Sequence, residues 1–189
     1  MSKAYLKIYG DGNYDAEHAE VFLFRITTCY KSILLLDKIL QAAIGGRIAS
    51  IYPNPVMPYI SSEDDRLHIS SVEFHSPGFW EFLGKLNPLE VIRQYLTDRH
   101  EREKDNNYRN KHEEIKLNLE NRIRSLEYVS KVVNTLRDAG VPEKQISMLV
   151  QEHIVLPLAS LDLMCESGYV KNVELAKPKK ESVFDETEI

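Results

Sequence analysis

The chain has 189 residues, of which 43% are hydrophobic and 28% are charged. This composition is typical of a soluble globular protein with one sizeable domain. The formal net charge of −5 argues against a general nucleic-acid binder, whose domain would normally be basic. Cys29 and Cys165 both lie in apolar, helix-like contexts. We expect free buried thiols in a cytoplasmic protein, with a disulfide between them as the alternative.

A short strand and a long buried helix are the first predicted elements. Ala4–Tyr9 alternates in polarity and is followed by a glycine-containing turn that lacks the lysine and hydroxyl residue of a phosphate-binding loop. Asp15 is a suitable N-cap for a helix that continues to about Ile44. Val21–Leu36 is apolar on nearly all sides, which is typical of a core helix. A membrane span is disfavoured because charged residues interrupt every run of the required length.

Three further segments are predicted strands, namely Arg47–Tyr52, Arg66–Phe74 and Tyr169–Ala176. Tyr169–Ala176 alternates in polarity, whereas both faces of Arg66–Phe74 are mixed and leave its register open. The proline-rich loop Pro53–Ile60 carries apolar residues that would either bind a partner or fold over the sheet. Phe79–Gly84 contains the single tryptophan, and its aromatic content is interpreted as a short packing helix.

The dominant predicted element is Asn87–Ala139, either one long helix or a helical hairpin that bends near Asn106 and Asn107. Asn87 can cap it, Pro88 suits the first helical position, and Glu90 can complete a capping box. If Pro88–Ala139 were one straight helix, it would be about 78 Å long. It would then extend well beyond a compact body with a radius of gyration of about 16 Å.

An apolar stripe in the second half of this element is the predicted partner-binding surface. Its members follow heptad a and d spacing, which is typical of a coiled coil. The stripe consists of Ile115, Leu119, Leu126, Val129, Val133 and Leu136. Two arrangements would bury it: a second copy or another protein covers the stripe, or the helix folds back on its own domain.

The middle of the same element is densely charged. Arginines and lysines from Arg93 to Arg109 could form a basic stripe for nucleic acid or a membrane surface, but interleaved acids cancel much of its field. His100-Glu101 and His112-Glu113 begin like a zinc-protease helix, yet lysine stands where the second histidine is required. We therefore predict no metal, cofactor or catalytic residue. Should the protein be an enzyme, His68, Glu73 and His75 near the strand ends would be the first candidates.

A second helical segment follows Gly140, with a predicted kink at Pro157. The run Ser76–Gly84 together with Leu86–Glu90 resembles a segment of small bacterial proteins that have no assigned activity. The resemblance covers about Leu67 to Arg109, implies a bacterial origin and transfers no functional residue.

Together these patterns predict one α+β domain over residues 1–176, followed by a charged, disordered tail at residues 177–189. A mainly antiparallel sheet of three to five strands packs on the buried helix, with the long helical element beside it. The function expected is that of a non-enzymatic cytoplasmic adaptor or regulatory protein. It would form a homo-oligomer or bind another protein through the long helix. The alternatives are an enzyme with an unrecognised site, or a module that binds nucleic acid or membranes.

Overall fold

The computed structural model describes residues 2–12, 15–46, 62–106, 123, 126–167 and 169–177. Several predicted features lie outside these ranges. They are the strand Arg47–Tyr52, the loop Pro53–Ile60, the stripe residues Ile115 and Leu119, and residues 178–189 of the tail.

Four antiparallel strands form an open sheet in the order β2-β3-β1-β4. The strands are β1 (Lys3–Gly10), β2 (His68–Glu73), β3 (Gly78–Lys85) and β4 (Asn172–Ala176). β1 pairs with β3 along its whole length, from Lys3 opposite Lys85 to Gly10 opposite Gly78. This antiparallel sheet, packed on helices, confirms the predicted α+β class.

β3 lies where a short aromatic helix was predicted, and that prediction was wrong. Trp80 and Phe82 are buried on the inner face of the sheet, whereas Phe79, Glu81 and Leu83 are partly exposed on the outer face. Aromatic residues are enriched in strands because they pack well on a pleated, half-buried surface. The aromatic content of this segment therefore favoured a strand, while its polarity does not alternate because Phe79 and Leu83 lie on the outer face.

The turn that leads into β3 packs tightly against the turn that follows β1. A Cβ on Gly78 would lie 2.6 Å from the Cα of Gly12 and 2.6 Å from the carbonyl oxygen of Glu73. Gly12 has a φ of 75°, a backbone conformation that residues other than glycine rarely adopt. Glycine at these two positions therefore lets the two turns meet at one end of the sheet.

The predicted core helix is confirmed as α1 (Ala16–Ile44), which packs on the inner face of the sheet. Asp15 is its N-cap and accepts a hydrogen bond of 2.8 Å from the His18 amide. The Phe22 ring lies 5.6 Å from Trp80 and 6.1 Å from Phe82, between ring centroids. Further along α1, the Tyr30 hydroxyl accepts a hydrogen bond of 2.9 Å from the Lys85 amide at the end of β3.

The remaining helices surround α1. They are α2 (Leu86–Asn106), α3 (Glu127–Asp138), α4 (Glu143–Val150), α5 (Leu156–Ala159) and α6 (Asp162–Glu166). A π-helical turn, Gln151–Val155, joins α4 to α5 just before Pro157. Because proline cannot donate a backbone hydrogen bond, the chain leaves regular α-helical geometry beside it, at the position where a kink was predicted.

A straight helix over Asn87–Ala139 does not form. Leu126 has an extended backbone (ψ 135°) directly before α3. The side chains of Asn87 and Tyr128 both donate hydrogen bonds to the Asp37 carboxylate. In a straight helix these two residues would be about 60 Å apart. The element therefore folds back on its own domain, and the predicted bend at Asn107 lies outside the described residues.

Candidate functional site

The centre of the helical layer contains a buried carboxylate. Asp37 lies in the last third of α1, and only 5% of its surface is exposed. The Asn87 amide nitrogen lies 2.7 and 2.8 Å from its two oxygens, and the Tyr128 hydroxyl lies 2.7 Å from Oδ1. We call Asp37, Asn87 and Tyr128 the Asp37 cluster. It joins α1, α2 and α3 at one point.

Burial dominates the ionisation of this cluster. Desolvation raises the pKa of Asp37, while the hydrogen bonds from Asn87 and Tyr128 and the charge of Lys131 act in the opposite direction. Burial, together with the neighbouring carboxylate, also raises the pKa of Tyr128. A buried carboxylate is costly unless its oxygens are hydrogen-bonded, so both donors matter to its placement.

A network of ion pairs lies at the end of the sheet where β1 begins and β3 ends. The buried Lys85 ammonium is 2.9 Å from Asp64, which also pairs with Lys3 at 2.9 Å. Lys38 of α1 pairs with Asp65 at 2.6 Å. The hydrogen bonds from Lys3 and Lys85 lower the pKa of Asp64 to about 2. Each ammonium faces a carboxylate within the domain, so we interpret this network as structural.

A groove of about 360 Å³ lies between α3 and α4. Each helix contributes one apolar and one polar pair of residues, and each pair is spaced by four positions. The apolar pairs are Val129 with Val133 and Ile146 with Val150, and the polar pairs are Ser130 with Asn134 and Glu143 with Ser147. Residues four apart on a helix lie one above the other. The groove is therefore two helical turns long, with an apolar floor and a polar rim.

The structure divides the predicted partner-binding stripe between the domain core and this groove. Leu126, Val129 and Leu136 are at most 7% exposed and belong to the hydrophobic core, against which Val133 is partly buried. Val129 and Val133 also line the groove. The described part of the stripe is thus covered mainly by its own domain, and only these two members face a cavity.

The residues named for an enzymatic site do not converge. His68 and Glu73 lie at opposite ends of β2, about 17 Å apart for a strand of this length. His75 lies in the exposed turn beyond Glu73. Within the described ranges no group of three or more histidine, cysteine or acidic residues could hold a metal ion.

Two arginines of the predicted basic stripe pair with acids. Arg93 donates to Glu90 at 2.6 and 2.9 Å, and the Arg99 guanidinium lies 3.3 Å from Asp162. The same Asp162 oxygen accepts a hydrogen bond of 2.5 Å from the Tyr95 hydroxyl. Arg93 thus pairs within α2, Arg99 connects α2 to Asp162 of α6, and both arginines have acidic partners.

Cys29 and Cys165 are buried and are not in a disulfide, and burial raises the pKa of the Cys29 thiol. In the described chain one helix, Glu143–Cys165, is long and apolar enough to cross a membrane, with a mean hydropathy of 1.3. Half of the residues in this window are buried inside the fold, and core helices of soluble proteins meet the same criteria.

Comparisons of the chain with protein-family models, with curated proteins and with solved structures give no match. The resemblance to small bacterial proteins stays a prediction. Function is therefore inferred from the geometry of the Asp37 cluster and the groove. Sequence reasoning did not identify this cluster, although Asp37 interrupts an apolar run and was a usable signal.

Removing one donor from the Asp37 cluster should destabilise the protein. We expect Tyr128→Phe to lower the free energy of unfolding by about 1–3 kcal/mol, because a buried carboxylate oxygen loses one of its two donors. Tyr9→Phe is the matched control, since Tyr9 donates to Glu174 at the surface and should cost well under that amount. Urea denaturation measures both. Equal losses would show that the Asp37 contact is no stronger than an exposed one.

The raised pKa of Asp37 predicts a pH-dependent difference from Asp37→Asn. Below an unfolded-state pKa of about 3.9 the carboxyl is protonated in both states and contributes no pH dependence. As the pH rises from there to the folded-state pKa, the unfolded state ionises first and wild type loses stability. The stability of wild type minus that of Asp37→Asn should therefore fall over this window and then level off. Urea denaturation from pH 4 to 8 measures it, and a constant difference would contradict the prediction.

Proposed function

We propose that this protein is a non-enzymatic adaptor of the cytoplasm that binds an amphipathic helix of another protein in the groove between α3 and α4. The observation that carries this proposal is the arrangement of the groove in four-residue pairs, with an apolar floor between two polar edges. Helix-in-groove recognition uses apolar side chains at positions i, i+3, i+4 and i+7 of the bound helix.

The floor fits such a ligand in spacing and size. Val129 and Val133 lie one turn apart on one wall, and Ile146 and Val150 lie one turn apart on the other. A bound helix with apolar side chains on successive turns would place them between these walls. A volume of about 360 Å³ is in the range of ligand-binding clefts and would hold a few apolar side chains.

The polar rim of the groove determines which residues are favoured beside the apolar stripe of the bound helix. Ser130, Asn134 and Ser147 are uncharged, and the only charged lining residue, Glu143, pairs with Arg137 at 2.6 Å. A highly charged partner would find no complementary field there. We therefore expect small uncharged polar residues beside the apolar stripe of the partner.

The test uses a synthetic helical peptide as its probe, with leucines at i, i+3, i+4 and i+7 and serine or glutamine between them. A peptide of the same composition with scrambled leucines is the reference. NMR spectra of the valine and isoleucine methyl groups report binding. We expect saturable shifts at the four floor residues with the patterned peptide only.

A pair of neighbouring substitutions locates the binding site. Ser147→Arg places a long cation on the rim at an exposed position and should weaken binding at least tenfold. Met148→Arg is the matched control, because Met148 is 51% exposed and does not line the groove. Equal binding by both variants, or equal binding of the scrambled peptide, would contradict the proposal. Light scattering measures whether the protein is a dimer. A dimer that dissociates in Ser147→Arg would show that a second copy of the chain occupies the groove.

A further inference from the structure

The Asp37 cluster and the groove share one helix. Tyr128, which donates to Asp37, directly precedes Val129 on the groove floor. Tyr128 is 7% exposed and lies in the first turn of α3. A movement of α3 as a whole that separates Tyr128 from Asp37 therefore also displaces a wall of the groove.

Polar anchors of α3 are few in the part of the chain that the structure describes. Its N-cap, Leu126, provides no side-chain hydrogen bond to the first turn. At the other end of α3, Arg137 pairs with Glu143 of α4. This ion pair is exposed and does not join α3 to α1 or α2. In the described residues, one side-chain hydrogen bond joins α3 to α1 and α2. It runs from the Tyr128 hydroxyl to the Asp37 carboxylate.

We propose that the Asp37 cluster is a conformational latch from which α3 can detach while α1 and the sheet stay folded, so that the groove exists only in the latched state. A buried hydrogen bond to a carboxylate favours two discrete states, since partial separation of the donor weakens the bond before water can replace it. Asn87 holds Asp37 from α2 in both states. Lys131, the cation on α3 that acts on Asp37, leaves together with Tyr128.

The latch also couples the binding of a helix in the groove to the attachment of α3, so that each favours the other. A helix that binds only the complete groove favours the latched state, and a weakened latch lowers the apparent affinity by the fraction of molecules that remain latched. This coupling rests on the proposed function of the groove. The latch itself does not, because its opening can be measured without any ligand.

Amide hydrogen exchange on the full-length wild-type protein, at several low urea concentrations, tests the latch. We expect the amides of α3 to exchange through an opening that depends weakly on urea and is more frequent than that of the α1 amides. In Tyr128→Phe the α3 opening should become about tenfold more frequent, while Tyr9→Phe leaves it unchanged. Asp37→Asn is the second variant if Tyr128→Phe fails to fold. Its asparagine oxygen still accepts the tyrosine hydroxyl but carries no charge, so the α3 opening should become more frequent by a smaller factor than in Tyr128→Phe.

Two results would overturn the latch. One is α3 exchange with the same rate and urea dependence as α1, since α3 would then open only when the whole domain unfolds. The other is a separate α3 opening that Tyr128→Phe does not change. The patterned peptide separates this inference from the proposed function. If it fails to slow α3 exchange while Tyr128→Phe still accelerates it, the groove function is wrong and the latch stands.

Discussion

One buried carboxylate sets the arrangement of the helical layer. Asp37 is almost inaccessible to water, and its oxygens are held by donors from two helices that are far apart in sequence. Without Asn87 and Tyr128 this side chain would be a desolvated, unpaired acceptor in an apolar core. The requirement to supply both donors brings the start of α2 and the start of α3 to the same side of α1. The groove between α3 and α4 begins beside this contact, because Val129 on its floor directly follows Tyr128.

The sheet side of the domain depends on different forces. Here α1 covers one face through Phe22, Trp80 and Phe82, while the lysine and aspartate pairs fix the end of the sheet beside Tyr30. Apolar packing and ion pairs therefore hold α1 to the strands. The later helices also pack in the core with α1, and α3 adds one polar contact to it in the described residues, the hydrogen bond from Tyr128 to Asp37. We assign conformational change to α3 rather than to the sheet because this contact is its one side-chain hydrogen bond to α1 there.

Local signals predicted much of the fold. The Asp15 cap and the apolar faces that follow it identified α1, and the position of Pro157 identified the departure from α-helical geometry. The aromatic segment that became β3 was misread because its aromatic residues were assigned to a packing helix, although such residues are enriched in strands. The heptad stripe was ambiguous for a physical reason: an apolar surface has the same spacing whether a second chain or the same chain covers it. Leu126, Val129 and Leu136 pack within their own domain. The long-range pairing that decided this, between Asp37 and residues 50 and 91 positions later, has no local signature.

The distance between α2 and α3 tests the folded-back arrangement most directly. Nitroxide labels at Asp98→Cys and Lys131→Cys suit pulsed EPR, because both positions are exposed and the two native cysteines are buried. From the shared contact at Asp37 we predict a single distance of about 30 Å or less. It should persist when the labelled protein is diluted with unlabelled protein, since both helices belong to one chain. A distance of about 50 Å, the value for a straight helix between these residues, would contradict the account.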